Sequence, residues 1–213
     1  MVIKSLKEFK LIFWDFDGVI KDSVDVKTDA YLALFPKAPK NIIEKIKSHH
    51  LEYGGISRFE KIPIYLEWVG IKPTEQVMGQ YLDQFANLVV QKVISSPWVP
   101  GVEPLLNQKQ SHQKFVIVTG TPQTEIEEIL IQLKIVSLFD HIFGAPTKKT
   151  EAIQWTLKKH AIKKEESLLI GDSKTDWIAA CDTGIQFLLR ETNDNDFIVQ
   201  YSGNKLKDFV GFI

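Results

Sequence analysis

Cysteine is almost absent from this chain, which has one, Cys181, in 213 residues. No internal disulfide can form, and a disulfide-stapled scaffold or a Cys-rich zinc site is excluded. An excess of charge of one sign is missing too: 26 Lys and Arg stand against 27 Asp and Glu, a formal charge of -1. That balance argues against a broad electrostatic grip on nucleic acid, which needs excess positive charge on one face. No apolar run approaches the roughly 18 residues of a membrane span. Met1 to Lys10 carries charges every few positions where a signal peptide would be apolar. The expectation is a cytoplasmic protein with neither nucleic acid nor membrane as partner. What is present is an ordinary globular mixture, 44% hydrophobic and 25% charged, long enough for a sizeable core plus a smaller module.

Short apolar runs bounded by polar residues or glycine mark buried parallel strands. Leu11–Trp14, Phe115–Val118, Ser167–Ile170 and Ile185–Leu189 are such runs, with Ser137–Phe143 a weaker one. Helical patterns lie between the later runs. Thr121-Pro122 is expected to open one, with the threonine as cap and the proline at the first helical position; Ile126, Ile129, Leu130 and Leu133 then form one apolar face. Glu151–His160 and Ser173–Cys181 are two more, the last stopped by Gly184. Alternation of strands and helices predicts an α/β protein with a doubly wound, Rossmann-like parallel sheet. Residues 19–96 break the alternation and read as helix almost throughout: Asp25–Phe35, Asn41–His49, Ser57–Val69 and Thr74–Val93. That is too long for a βα connection. It is expected to be an inserted helical module, leaving 1–18 and 97–213 as the core. The polar stretch Thr192–Gly203 carries no clear pattern.

Carboxylates follow the strand-like runs. Asp15 and Asp17 come directly after the first, Asp172 and Asp176 after the fourth, and Thr119-Gly120 is expected to end the second. In an open parallel sheet all three loops meet at one edge, where such folds bind ligands. Clustered carboxylates repel one another unless a cation lies between them, and hard oxygen donors suit Mg²⁺. The Thr119 hydroxyl and neighbouring backbone N–H groups suit a phosphoryl oxygen.

Asp15-Phe16-Asp17-Gly18-Val19, Val118-Thr119-Gly120-Thr121, a downstream lysine and Gly171-Asp172-Ser173-x-x-Asp176 form, in this order, a set that resembles the motifs of the haloacid dehalogenase superfamily. The last motif closes with the second acid, Asp176, four residues after Asp172. The helical insertion stands where that family carries a small cap, which suggests its phosphoglycolate phosphatase and β-phosphoglucomutase branch. The resemblance implies a phosphatase for small phosphorylated metabolites, a sugar phosphate or a phosphoglycolate-like molecule. It implies that Asp15 is the nucleophile that becomes an aspartyl-phosphate, and that Asp17 is the general acid and base. Mg²⁺ would be held by the side chains of Asp15 and Asp172 and the Asp17 carbonyl. Thr119 and Gly120 would bind the phosphoryl group, and Lys149, or alternatively Lys148, would neutralise it. Asp17 also argues against carbon–halogen chemistry, since the dehalogenases themselves lack this carboxylate.

Each assignment has a plainer counterpart. Ser173-x-x-Asp176 is also a capping box, a role compatible with Asp176 supporting the site from behind. Gly54-Gly55-Ile56-Ser57-Arg58 is similar to the substrate loop of β-phosphoglucomutase-like caps. Ser57 and Arg58 are thus substrate-binding candidates, the guanidinium suiting a second phosphate or carboxylate. Ser57-x-x-Glu60 is a capping box as well. Lys61 is a further possible contact, and Lys27 stands near the place where mutase caps carry a histidine, so it either faces the cleft or lies on a solvated helix face. Adjacent His49 and His50 point to different helix faces and are expected to be solvated or packed within the insertion. Cys181 and Trp14 are expected to be buried packing residues. The alternatives in function are a phosphoglucomutase-like transferase, a phospho-acceptor signalling domain and a non-catalytic binding protein.

Overall fold

The computed structural model describes residues 3, 5–192 and 201–212; residues 193–200 of the polar C-terminal stretch lie outside them. Six parallel strands form one sheet in the order β3-β2-β1-β4-β5-β6. They are β1 (Leu11–Trp14), β2 (Lys114–Pro122), β3 (His141–Ala145), β4 (Ser167–Gly171), β5 (Gln186–Arg190) and β6 (Asn204–Leu206). The central strand β1 pairs with β2 on one side and β4 on the other, Trp14 lying opposite both Ile117 and Ile170. Strand order therefore reverses at β1. A crevice opens at the carboxyl ends beside such a reversal, and Asp15 is the first residue past β1.

The two-residue period of the strands builds two apolar layers. Leu11 and Phe13 face one side with Val116, Val118, Leu169 and Leu189, covered by Ala152 and Ile153 of α7 (Lys149–His160) and Ala179 and Ala180 of α8 (Lys174–Thr183). Ile12 and Trp14 face the other, against Leu105 and Leu106 of α5 (Val102–Asn107) and Ile126, Ile129 and Leu130 of α6 (Gln123–Gln132). Strand β1 is buried along its whole length, as a near-continuous apolar run requires when helices cover both faces.

Five helices separate β1 from β2, and the four ahead of α5 form the insertion: α1 (Val24–Ala33), α2 (Lys40–Glu52), α3 (Arg58–Trp68) and α4 (Glu75–Ser95). Ser57 caps α3, its Oγ accepting from Phe59 N, and Thr74 caps α4 by accepting from Val77 N. Tyr31, Tyr65 and Phe85 are each no more than 3% exposed and pack the insertion around an aromatic centre.

Several local expectations are corrected. Strand β2 does not stop at Gly120 but continues to Pro122, with a register shift against β3 between Val118 and Pro122. Thr121 is therefore not a helix cap; Pro122 occupies the cap position of α6 and makes no side-chain cap bond. The third strand begins at His141, because Val136–Leu138 forms a turn of 3₁₀ helix. Cys181 is exposed on α8, not buried. Helix α5 and strand β6, only 6 and 3 residues long, were not expected at all.

Candidate active site

The strand ends bring the acidic residues together as the parallel topology requires. One oxygen from each of Asp15, Asp172 and Asp176 lies within 4.8 Å of the other two, and all three residues are buried. Lys149, the first residue of α7, reaches into this group. Its Nζ is 2.9 Å from Asp15 Oδ2 and donates to Asp176 Oδ1 at 2.5 Å. Lys148, the alternative, is exposed at the cap position of the same helix. Asp176 is also tied to Ser173, whose Oγ and backbone N–H both donate to Oδ2. The capping box and the lysine contact thus coexist in one side chain.

Three carboxylates meeting one ammonium in a buried space leave negative charge unbalanced. Burial, then repulsion from Asp176, pushes the Asp15 pKa up to about 7, although Lys149 opposes the shift. Burial, followed by the charges of Asp15 and Asp176, likewise drives Asp172 well above the usual carboxylate range. For Lys149, burial works against the charged form, but Asp15 and Asp176 outweigh it and hold its pKa above the ordinary value. Mutually repelling oxygen donors of this kind fit a hard divalent cation, so the residues present suit Mg²⁺.

Asp17 faces a different set of partners. Ser23 Oγ donates to its Oδ1 at 2.7 Å, Thr121 Oγ1 donates to Oδ2 at 3.2 Å, and the Lys27 ammonium pairs with Oδ2. Lys27 also donates to Thr121 Oγ1 at 2.8 Å. Burial would raise the Asp17 pKa, but the Lys27 charge and these hydrogen bonds overcome it and lower it. The Asp17 carboxylate is not one of the three clustered acids; its expected contribution to metal binding is the main-chain carbonyl. Of the two readings open for Lys27, the structure takes the cleft. Lys27→Met removes the charge that holds Asp17 down, so an ionisation in the pH profile of kcat/KM should move to higher pH. An unchanged profile would show that Lys27 does not tune Asp17.

The insertion closes over these groups. A chamber of about 40 Å³ is lined on the core side by Asp15, Asp17, Thr119, Gly120 and Asp172, and on the insertion side by Lys27, Tyr31, His50, Gly55 and Arg58, among others. Arg58 is 4% exposed and makes a bidentate pair with Glu125 of α6, at 2.8 and 2.6 Å. Its guanidinium therefore reaches the chamber while fastened to the core. Ser57 caps α3 beside the chamber and is not among the residues lining it.

Two glycines permit the closeness. Gly18 has φ +74°, and a Cβ there would lie 2.0 Å from Asp172 Oδ2. A Cβ on Gly120 would lie 2.7 Å from the backbone oxygen of Gly55 in the insertion. Backbone cannot yield as a flexible side chain can, so Gly120→Ala should hold the insertion away from the core. We expect kcat/KM to fall about 100-fold, as for an ångström-scale misplacement, with the thermal midpoint little changed. Activity within a factor of two of wild type would contradict this close fit.

The description "haloacid dehalogenase-like hydrolase" matches residues 12–189 as a family model. The chain belongs to this family. Among relatives, a phosphoglycolate phosphatase of Vibrio cholerae serotype O1 is 29% identical over 192 residues, covering 84% of this chain and 83% of its own length. Phosphoglycolate phosphatase 1 of Pseudomonas aeruginosa is 25% identical over 188 residues, or 83% and 67% of the two chains. The fold is shared with β-phosphoglucomutase of Clostridium difficile, at TM-score 0.76 and 20% identity over 96% of this chain and 93% of that one. CbbY of Rhodobacter sphaeroides, solved in complex with phosphate, aligns at TM-score 0.75 and 15% identity over 94% and 95% of the two chains.

Ser23, Thr121 and Glu125 escaped the sequence reading as site residues. The Thr-Gly-Thr spacing is a usable signal for Thr121, but Thr121-Pro122 equally resembles the start of a helix. No sequence signal pairs Glu125 with Arg58, since they are 67 residues apart.

Proposed function

We propose that this family member is a Mg²⁺-dependent phosphatase of a small phosphorylated metabolite, acting through an aspartyl-phosphate at Asp15. The observation that carries the reading is the Asp15 carboxylate at the end of β1, buried with Lys149 at 2.9 Å and within 4.8 Å of the Asp172 and Asp176 oxygens. Asp15 attacks phosphorus and the ester oxygen leaves. Asp17, on the same side of the chamber two residues on, gives that oxygen a proton and later takes one from the attacking water as the Asp15–phosphorus bond breaks. Thr119 and Gly120 hold the phosphoryl oxygens, and Lys149, oriented by Asp176, offsets their charge. Asp15, Asp172 and the Asp17 carbonyl would hold Mg²⁺, which when bound stabilises negative charge on the phosphoryl group. The closed insertion keeps bulk water away.

A phosphoglycolate-like substrate fits better than a sugar phosphate. The relatives named above are phosphoglycolate phosphatases, and the small chamber has Lys27 and Arg58 on the side away from the nucleophile's strand. The mutase alternative is weakened by Lys27, which pairs with Asp17 and stands near the position where mutase caps carry a histidine. A cytoplasmic setting is supported by the single cysteine, and no described helix is long and apolar enough to cross a membrane.

The test is a panel of phosphorylated metabolites with and without Mg²⁺. Inorganic phosphate released only with the metal, fastest from a short carboxylate-bearing ester, is the expected result. Metal-independent turnover, or isomerised monophosphate without phosphate release, would overturn the reading.

A further inference from the structure

His50 and Lys61 form a buried pair inside the insertion, 3% and 0% exposed. Lys61 Nζ lies 2.8 Å from His50 Nδ1 and 3.4 Å from the His50 carbonyl oxygen. Within the described residues no ion pair joins Lys61 to a carboxylate. Burial and the Lys27 charge pull the Lys61 pKa well below its ordinary value, opposed by Asp17, Asp172 and Glu60. As an ammonium, with three donors and no lone pair, Lys61 donates to Nδ1 and to the His50 carbonyl and leaves the ring proton on Nε2. The ring is uncharged, since burial and the Lys61 charge depress its pKa well below the ordinary value.

His50 lines the same chamber as Asp15, Thr119 and Gly120, yet its Nε2 is buried without a hydrogen-bond partner. The two cations on that wall are already engaged, Lys27 by Asp17 and Thr121 and Arg58 by Glu125. A buried donor left unmet in a closed polar chamber is unfavourable, and a ligand acceptor would satisfy it. The cations around it, Lys27, Arg58 and Lys61 behind the ring, favour an acceptor that is anionic.

We propose that His50, held in its Nε2–H form by Lys61, donates a hydrogen bond to a carboxylate on the non-phosphoryl end of the substrate and so selects short acidic phosphate monoesters over uncharged ones. His50 is the specificity-determining residue, and Lys61 is the positioning residue that fixes its tautomer. The proposal rests on the phosphatase reading above and deepens it.

The test compares 2-phosphoglycolate with ethyl phosphate, which lacks the carboxylate, in the presence of Mg²⁺. His50→Leu should lower kcat/KM for 2-phosphoglycolate about 10- to 100-fold, mainly through KM, the loss typical of a hydrogen bond to a charged group. Ethyl phosphate turnover should stay within about 3-fold on the same ground. His50→Gln, which keeps an N–H near the Nε2 position, should recover most of the preference, and Lys61→Met should lose part of it. Equal losses on both esters, no loss, or a wild-type enzyme without preference would overturn the proposal while leaving the phosphatase reading intact. Failure of the wild type to hydrolyse any phosphate monoester would instead remove that reading, and this proposal with it.

Wild-type protein supplies a second readout should the variants not fold. The ¹⁵N spectrum of His50 should show a neutral ring protonated at Nε2. Its Nε2 signal should move on adding 2-phosphoglycolate without Mg²⁺ and stay in place with ethyl phosphate. An Nδ1–H ring, or no movement, would overturn the assignment.

Discussion

Asp15→Asn is expected to lower kcat at least ~10⁴-fold, the scale seen when a catalytic nucleophile is removed, while making the metal-free protein more heat-stable. The two effects have one cause. Burial and Asp176 raise the Asp15 pKa from 3.8 to about 7, so the fold holds this acid more comfortably protonated than ionised. Between those two values the native state binds more protons than the unfolded state, and Asp15 withdraws stability as pH rises. An amide carries no such cost. The gain in thermal midpoint for Asp15→Asn should therefore be small near pH 4, grow towards pH 7 and level off above it. Calorimetry without metal across that range checks the sign. A variant less stable than wild type at pH 8 would show that the Lys149 contact outweighs the repulsion. In the wild type, Mg²⁺ must displace protons from Asp15 and Asp172, so its stabilising shift should also increase from pH 5 to pH 8.

Lys149→Met acts in the opposite direction on stability. It removes the one ammonium lying between Asp15 and Asp176, at 2.9 and 2.5 Å. Taking one partner out of a buried ion pair typically costs about 3–5 kcal/mol. The loss should be complete at neutral pH. The folded Lys149 pKa lies above the ordinary 10.5, so its contribution is present below that value and lost only as pH rises through the folded one. Turnover should fall about 1,000-fold, comparable to losing a strong donor at a developing anion. Mg²⁺ should restore much of the stability but little of the activity, because a cation can balance Asp15 and Asp172 without standing where the lysine holds the phosphoryl group. Thermal midpoints with and without Mg²⁺, beside kcat, separate the two. A stable but metal-insensitive variant would contradict this arrangement.

Much of this architecture was readable in the residues because burial dictates it. Leu11–Trp14 and Ser167–Gly171 are buried at every position, and only a covered parallel strand accepts such a run. Once those strands are adjacent, Asp15 and Asp172 must share an edge. Short elements left less trace: α5 spans under two turns, β6 is three residues long, and neither repeats a pattern often enough to stand out. Val136–Leu138 is apolar but forms a 3₁₀ turn, and an apolar run alone does not distinguish strand from helix.

The docking of the insertion on the core was not readable. Lys27 on Asp17, Arg58 on Glu125 and Gly55 on Gly120 depend on how the inserted helices meet the strand ends. Contacts between residues 67 or 94 positions apart carry no local signal. His50 illustrates the point: the sequence leaves it either solvated or packed within the insertion, and only the folded chain shows it lining the chamber with a buried, unpartnered Nε2.

The central claim is that Asp15 carries the phosphoryl group between substrate and water. Its most direct test is acid quenching of the Mg²⁺-loaded enzyme within the first turnover of 2-phosphoglycolate, followed by peptide mass spectrometry. The predicted result is one phosphoryl group on the peptide containing Asp15, labile to hydroxylamine and absent from Asp15→Asn. Phosphoryl on another residue, or rapid turnover with no phosphorylated protein at any quench time, would contradict the account.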